Sequence, residues 1–267
     1  MIRSPQTGTV GDVLRDWRQR RRLSQMDLAG EAAVSTRHLS FVESGRAAPS
    51  RDMLLRLAEP LGMSLRERNR LLLAGGFAPL YPERSLDAPD MAAAKQAVGA
   101  VLAAQEPFPA LAVDRHWTLV AANGAVSPLL AAVAPELLRP PVNVLRLSLA
   151  PDGLAPFILN LPEWRRHLLE RLRHDARASG DGALFELHDE LRALPAPIPA
   201  APAAHATAAS VAVPLVLRHP GTGERLSFLS TTSVFGTAMD VTLAELTLEC
   251  FYPADERTRT ALLGSQR

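Results

Sequence analysis

The chain has 267 residues and a formal net charge of +1, so it is long enough for two domains with cores of their own. Its single cysteine excludes a disulfide framework and a cysteine-rich zinc site. The first ten residues lack an apolar signal segment, and prolines and polar residues interrupt the most apolar stretch. We therefore expect a cytoplasmic protein that does not cross a membrane.

The charges are distributed unevenly along the chain. Residues 1–80 contain 13 arginines and 8 acidic residues, a net charge of +5. The remainder contains 16 basic and 20 acidic residues, a net charge of −4. A basic N-terminal module on a mildly acidic body is typical of proteins that bind DNA.

Five helices are predicted within the basic module. Their predicted bounds are 11–22, 25–33, 36–44, 51–61 and 65–74. A serine stands directly before each of the last four helices, where its hydroxyl can cap free backbone N–H groups. These serines are Ser24, Ser35, Ser50 and Ser64. Gly45 is placed to end the third helix in a left-handed conformation.

The second and third helices, with the short break between them, have the spacing of a helix-turn-helix. Leu28, Leu39 and Val42 are spaced to face one another, whereas the third helix begins with polar side chains. A small helical bundle without a DNA role would show the same apolar spacing. It would not explain Gln25 directly after a cap, or the polar segment 43–46 that closes the third helix.

The segment 23–49, LSQMDLAGEAAVSTRHLSFVESGRAAP, resembles the phage-repressor-like, or XRE, class of regulators. The resemblance implies binding to double-stranded DNA, with the third helix in the major groove. It also implies an ion pair between Arg18 and Glu43. The predicted DNA-binding residues are Gln25, Ser35, Thr36, Arg37, His38, Ser40, Phe41, Arg46 and Arg51.

Three kinds of DNA contact are expected from these residues. Arg37 would pair with a guanine edge, and Phe41 would either touch a thymine methyl or simply pack against its own helix. Gln25, Arg46 and Arg51 would contact phosphates and so position the protein on the duplex.

The composition changes after residue 80. Prolines mark 81–90 as a linker, and 91–104 is predicted to be an alanine-rich connector helix. The predicted domains are therefore a DNA-binding domain at 1–80, a linker and connector helix at 81–104, and a second domain at 105–267, called the sensor domain because of the family resemblance described below.

The sensor domain is predicted to combine helices with an antiparallel sheet of five strands. The predicted strands are 110–113, 117–121, 211–217, 225–234 and 243–252, and the predicted helices start after Asn123, Asn143, Asn160 and Asp255 and at Leu184. The helix after Asn160 should run to about 178, and 195–209 is a proline- and alanine-rich loop. The whole chain is thus a multidomain α and α+β protein, with helices on one face of a PAS-like sheet.

No catalytic motif is present, so we expect the protein not to be an enzyme. HExxH, GxSxG, GxGxxG and Walker A sequences are absent. The histidines have no trustworthy metal-ligand spacing, and Cys250 is expected to be a packed thiol. No metal and no cofactor are expected.

The second half of the chain resembles the MmyB-like ligand-binding domain family. The short motifs that carry this resemblance stand in a fixed order and are Pro107-Phe108-Pro109-Ala110, Asp114-Arg115-His116-Trp117, Ala122-Asn123, Pro141-Val142-Asn143, Asn160-Leu161-Pro162-Glu163, Arg171-Leu172-Arg173, Val241-Thr242-Leu243 and Phe251-Tyr252-Pro253-Ala254-Asp255. The resemblance implies a PAS-like sensor for a small apolar ligand, with a fatty acid as the leading suggestion.

The ligand site is expected between the C-terminal sheet and the helix that starts at 161, with the 195–209 loop as a lid. The predicted ligand-binding residues are Trp117, Asn123, Phe157, Asn160, Trp164, Leu168, Phe228 and Phe251. The aromatic residues could equally be ordinary core, and the two asparagines could be helix caps.

Together these patterns predict a ligand-responsive, sequence-specific transcriptional regulator that binds DNA as a homodimer. The alternative is a DNA-binding regulator whose second domain only dimerises or recruits a protein partner, without a small ligand.

Overall fold

The computed structural model describes residues 8–195 and 213–264, which divide into two compact units. The first unit contains the described residues up to Arg84 together with Thr237–Ala244. The second contains the described parts of Ser85–Gly236 and of the chain from Glu245 onward.

The first unit begins with five α-helices. They are α1 (Val10–Arg20), α2 (Gln25–Glu31), α3 (Thr36–Glu43), α4 (Arg51–Ala58) and α5 (Leu65–Ala74). All four predicted serine caps are confirmed, since each hydroxyl accepts a hydrogen bond from a backbone N–H in the first turn of its helix. Gly45 has a φ of +73° at the end of α3, as expected. The helices α2 and α4 end two or three residues earlier than predicted.

Buried side chains from all five helices form one core in this unit. Leu14, Leu28, Leu39, Leu54 and Leu72 are fully buried there. The packing of α1 on α3 is close enough to need a glycine. A Cβ at Gly11 would lie 2.6 Å from the backbone oxygen of Val42.

The second unit contains a five-stranded antiparallel sheet. Its strands are β1 (Ala110–Val113), β2 (Leu119–Ala122), β3 (Leu215–Arg218), β4 (Arg225–Val234) and β5 (Thr247–Pro253), in the order β2-β1-β5-β4-β3. The first strand thus pairs with the last, with Ala110 opposite Cys250. The predicted five-stranded α+β arrangement is confirmed.

The helices of the second unit are mostly as predicted. They are α6 (Ala92–Ala104), α7 (Val144–Leu149), α8 (Leu161–Ser179), α9 (Gly182–Ala193) and, after the segment α10 (Val241–Ala244) of the first unit, α11 (Glu256–Gly264). Asn143 caps α7 as predicted, and Asp255 accepts from the Thr258 N–H at 2.8 Å in the first turn of α11.

Two predicted caps are wrong because their side chains are used elsewhere. Asn123 accepts from the Ala110 N–H and donates to the Leu102 and Phe108 carbonyls, and it makes no cap bond. The helix predicted after it is a 3-10 segment, Gly124–Leu130, that contains Pro128. Asn160 likewise makes no cap bond, because its amide bridges to the backbone of β3 and the residue before it.

Three predicted strands begin too early, and the one predicted from 211 starts as β3 at Leu215. Trp117 has a φ of +64°, which strand geometry does not allow, and β2 starts at Leu119. Residues 243–246 precede β5, because Val241–Ala244 is helical. The predicted 195–209 loop beyond residue 195 and the first two residues of the predicted 211–217 strand lie outside the described residues.

Candidate functional site

The N-terminal face of α3 is exposed to solvent. The side chains of Thr36, Arg37 and His38 are exposed, and Ser40 is half-buried on the same helix. Ser35 holds the start of the helix by accepting from the His38 N–H at 3.1 Å. A short capped helix that presents polar side chains at its start has the geometry of a recognition helix.

Arg37 and Phe41 lie together on α3. The guanidinium carbon of Arg37 is 5.4 Å from the centre of the Phe41 ring, which is within cation–π range. Phe41 is half-buried, and its carbonyl accepts from the Arg46 N–H at 2.7 Å. This contact holds the loop after α3, which carries the exposed Arg46. Arg51 is also exposed and is the first residue of α4.

The predicted ion pair between Arg18 and Glu43 is confirmed. Arg18 donates from Nε and Nη2 to the two carboxylate oxygens of Glu43, at 2.7 and 2.9 Å. Only 1% of the Glu43 side chain is exposed. Paired hydrogen bonds of this kind fix both the distance and the orientation between α1 and α3.

Gln25 belongs to this internal network, although it was predicted to contact phosphate. Its Nε2 donates to Glu43 Oε2 at 2.7 Å, so the amide is already engaged inside the protein. Among the nine predicted DNA-binding residues, Gln25 is the one whose side chain donates a hydrogen bond to a buried carboxylate.

The buried Glu43 carboxylate is kept charged by its neighbours. Burial by itself would raise its pKa. The hydrogen bonds from Arg18 and Gln25, with the positive charges of Arg18 and Arg15, outweigh burial and hold the pKa of Glu43 below its usual value. Glu43 therefore stays ionised at neutral pH.

In the second unit, a cavity of about 110 Å³ lies between the sheet and α8, where the sequence predicted a ligand site. Its lining is apolar except for Ser148, Arg171, Ser230 and Glu249. The apolar lining side chains come from the sheet, α7, α8 and nearby segments and are Pro109, Leu111, Trp117, Leu119, Val126, Leu129, Leu130, Val144, Leu145, Leu147, Leu154, Trp164, Leu168, Leu215, Leu217, Phe228 and Phe251.

Five of the eight predicted ligand residues line this cavity. They are Trp117, Trp164, Leu168, Phe228 and Phe251. Asn123, Asn160 and Phe157 do not line it. The two asparagine side chains bond to backbone groups, and Phe157 lies half-buried in the 3-10 segment Ala155–Phe157.

Trp117 is held in an uncommon backbone conformation at the wall of the cavity. The carboxylate of Asp114 accepts from the N–H groups of His116 and Thr118, both at 2.8 Å. Asn143 donates to the His116 carbonyl at 2.8 Å. A bulky residue with positive φ persists only where its surroundings fix it, and here they aim the indole at the cavity.

The sequence prediction missed the polar part of the cavity. Arg171 Nη2 donates to Glu249 Oε1 at 2.5 Å, and its guanidinium carbon is 4.5 Å from the centre of the Trp117 ring. One signal was present in the sequence. Trp164, Leu168 and Arg171 have the spacing that places side chains on one helical face, so Arg171 could have been included with the other two.

Two models of known protein families match the chain. Residues 94–263, more than half of the chain, match the family model described as "MmyB-like transcription regulator ligand binding domain". The chain belongs to this family. Residues 9–71 match a helix-turn-helix domain model. The protein is therefore a transcriptional regulator of the MmyB-like family with a helix-turn-helix domain and a ligand-binding domain.

Individual relatives cover only parts of the chain. A putative HTH-type transcriptional regulatory protein from Methanoculleus marisnigri is 38% identical over 116 residues, which are 42% of this chain and 37% of that protein. The restriction-modification controller protein C.AhdI from Aeromonas hydrophila is 32% identical, covering 22% of this chain and 89% of its own, with a TM-score of 0.21. The clp gene regulator ClgR from Corynebacterium glutamicum is 25% identical, covering 39% and 97%, with a TM-score of 0.23.

No helix in the described ranges is both long and apolar enough to span a membrane.

Proposed function

We propose that this protein is a ligand-responsive, sequence-specific regulator that binds its operator as a homodimer in the cytoplasm. In this proposal, 1–80 is the DNA-binding domain, 81–104 the linker and connector helix, and 105–267 a PAS-like sensor. The observation that carries the proposal is the apolar cavity, because it occurs in a chain that also presents a capped, exposed recognition helix.

The DNA-binding part rests on the exposed residues of α3 and the loop after it. Arg37 is placed to pair with guanine O6 and N7, and Thr36, His38 and Ser40 to reach neighbouring base edges. Arg46 and Arg51 are placed to contact phosphates. Ser35 and Gln25 support this surface from within, since one caps α3 and the other bonds Glu43.

The ligand-binding part rests on the composition of the cavity. Its walls would hold an apolar chain, such as the acyl chain of a fatty acid, mainly through burial of apolar area. At about 110 Å³ the cavity is smaller than the roughly 300–1,000 Å³ of pockets for drug-sized ligands. A short chain would therefore suit it best, and a long chain would have to push α8 and the sheet apart.

A homodimer is proposed because repressor-like domains read two half-sites. Two recognition helices must lie about 34 Å apart to enter successive major grooves. The helix α6 is suited to set that spacing, since most of its small apolar side chains are exposed and Val101 is 43% exposed. A ligand would act only through its different affinities for two dimer geometries.

The decisive variant is Leu168→Trp, which fills the cavity from α8. It should abolish the change in Trp164 fluorescence that an eight-carbon probe such as 1-octanol causes in the wild type, while DNA binding is retained. The matched control is Leu169→Trp, because Leu169 is the next residue of α8 and does not line the cavity. Overpacking costs about 1–3 kcal/mol, so thermal melting must show that both variants are folded.

Native mass spectrometry of the purified wild type separates this proposal from the alternative. A retained small molecule that is lost in Leu168→Trp supports a sensor. If neither an adduct nor octanol binding is found, the second domain is better described as a dimerisation or protein-recruitment module. Unchanged octanol binding by folded Leu168→Trp would mean that the ligand site lies elsewhere.

A further inference from the structure

Arg171 and Glu249, the charged residues that line the cavity, form a hydrogen-bonded cluster with Thr232 where α8 meets β4 and β5. Arg171 Nη2 donates to Glu249 Oε1 at 2.5 Å and to the Thr232 hydroxyl at 3.0 Å. That hydroxyl donates in turn to Glu249 Oε1 at 3.1 Å. The Glu249 side chain is only 5% exposed. Arg171 and Glu249 thus balance each other at the cavity wall, and the half-buried Asp175 on the same helix also interacts electrostatically with Arg171.

An ionic ligand would either break this cluster or lie beside the member that carries its own charge. A carboxylate that recruited Arg171 would draw it from Glu249, from Thr232 and from the face of Trp117. It would leave the buried Glu249 without its cation, and breaking a buried ion pair in this way is strongly unfavourable. An ammonium ion that recruited Glu249 would similarly leave Arg171 unpaired.

The hydrogen-bonding capacity that remains in the cavity is uncharged. Ser148 accepts from the indole N–H of Trp164 at 3.1 Å, and within the described residues its own hydroxyl hydrogen has no acceptor. Ser230 also lines the cavity, and its hydroxyl has no bond to any other described residue. Two hydroxyls are suited to a ligand alcohol, ester, amide or protonated acid.

We infer that the cavity selects amphiphiles with an uncharged head group over carboxylates or ammonium ions of the same chain length. Glu249 is the specificity-determining residue, because it holds the charge of Arg171 away from the ligand. This inference rests on the proposed ligand-binding role of the cavity and narrows the fatty-acid suggestion to uncharged fatty acyl derivatives and alcohols.

The test compares three probes of one chain length on the full-length protein. Isothermal titration calorimetry at pH 7 would measure 1-octanol, octanoate and octylammonium. Octanol should bind at least about tenfold more tightly than either ion, which corresponds to about 1.4 kcal/mol. If neither octanol nor the ions bind, the proposed ligand role of the cavity fails and this inference fails with it. If an ion binds as tightly as octanol, only the head-group inference is overturned.

Glu249→Gln supplies the second part of the test. Glutamine keeps the shape and one acceptor but removes the carboxylate that is bonded to Arg171. Relative to octanol, octanoate should gain about tenfold in affinity, and octylammonium should not gain. Glu170→Gln is the matched control, because Glu170 is exposed on α8 outside the cavity lining. It should leave the ranking of the probes unchanged.

A failure of Glu249→Gln to raise octanoate affinity overturns the role given to Glu249. If thermal melting shows that this variant is unfolded at the assay temperature, Arg171→Gln provides the reciprocal measurement. It leaves the charge of Glu249 uncompensated, so octylammonium should gain affinity and octanoate should not. If octanoate gained affinity for this variant and octylammonium did not, the inference would be overturned.

Discussion

At the scale of single residues, Arg37 is the side chain on which base recognition is expected to depend. It is exposed near the start of α3 and stacked on Phe41, which limits the positions its guanidinium can take. Arg37→Ala should cost about 1–3 kcal/mol on an operator selected from a random library and relax the preference at one base pair. Fluorescence anisotropy with the operator and its single-base variants would measure both effects.

The control for this prediction is Arg70→Ala. Arg70 is a similarly exposed arginine on α5, paired with Glu67, and is outside the predicted contact set. It should leave the base preference intact. If Arg37→Ala weakens operator and random DNA by the same factor, Arg37 contacts a phosphate and does not read a base.

At the scale of elements, the pairing of α1 with α3 is expected to depend on Arg18 and Glu43. Removing one partner leaves the other buried without its bonded counter-charge, at a cost on the order of 3 kcal/mol; after loss of Arg18, only Arg15 Nε, 4.0 Å from Oε2, would remain near the Glu43 carboxylate. Removing both should cost less than the sum of the single changes. A double-mutant cycle with Arg18→Met and Glu43→Gln, measured by urea unfolding, tests the coupling.

The same pair predicts the response to acid. Because the pKa of Glu43 is lowered in the folded state, its stabilising effect is present above the unfolded value and lost as the pH falls through the folded value. The stability difference between wild type and Glu43→Gln should therefore shrink below the ordinary glutamate pKa of 4.5. A difference that stays constant from pH 7 to pH 3 would contradict this assignment.

At the scale of the whole molecule, we expect the β4–β5 connection to transmit the ligand signal. Both strands line the cavity, yet Thr237–Ala244 between them belongs to the first unit. There Asp240 Oδ2 accepts from Arg84 Nε at 2.9 Å, the Val241 N–H donates to the Pro82 carbonyl at 2.8 Å, and Val241 is fully buried.

Asp240→Asn is expected to weaken this coupling. Asparagine can still accept from the Thr242 N–H as Asp240 does, but it loses the charge that pairs with Arg84. Octanol affinity should be unchanged, while the ratio of operator affinities with and without octanol moves towards one. Asp189→Asn, at an exposed position of α9, is the control. If octanol changes the operator affinity of Asp240→Asn as much as that of the wild type, this path is excluded.

The local features of the chain were open to prediction because they depend on neighbours in sequence. The serine caps, the left-handed Gly45 and the approximate positions of the strands along the chain follow from side-chain chemistry and apolar periodicity within a few residues. The Arg18–Glu43 pair was anticipated through the family resemblance. The five cavity-lining residues were likewise anticipated through a family resemblance, because their spacing alone does not distinguish a pocket from ordinary core.

The tertiary structure decided which partner each polar side chain finds. Asn123 and Asn160 have the sequence context of caps, but backbone groups 13 to 56 residues away bind their amides instead. Glu249 lies 78 residues from Arg171, so no local pattern could pair them. The backbone conformation of Trp117 and the packing of residues 237–244 likewise depend on contacts with residues that are distant in sequence. Sequence determined the elements and their apolar faces, whereas long-range hydrogen bonds and charges, formed only after the elements pack, determined the polar chemistry of the cavity.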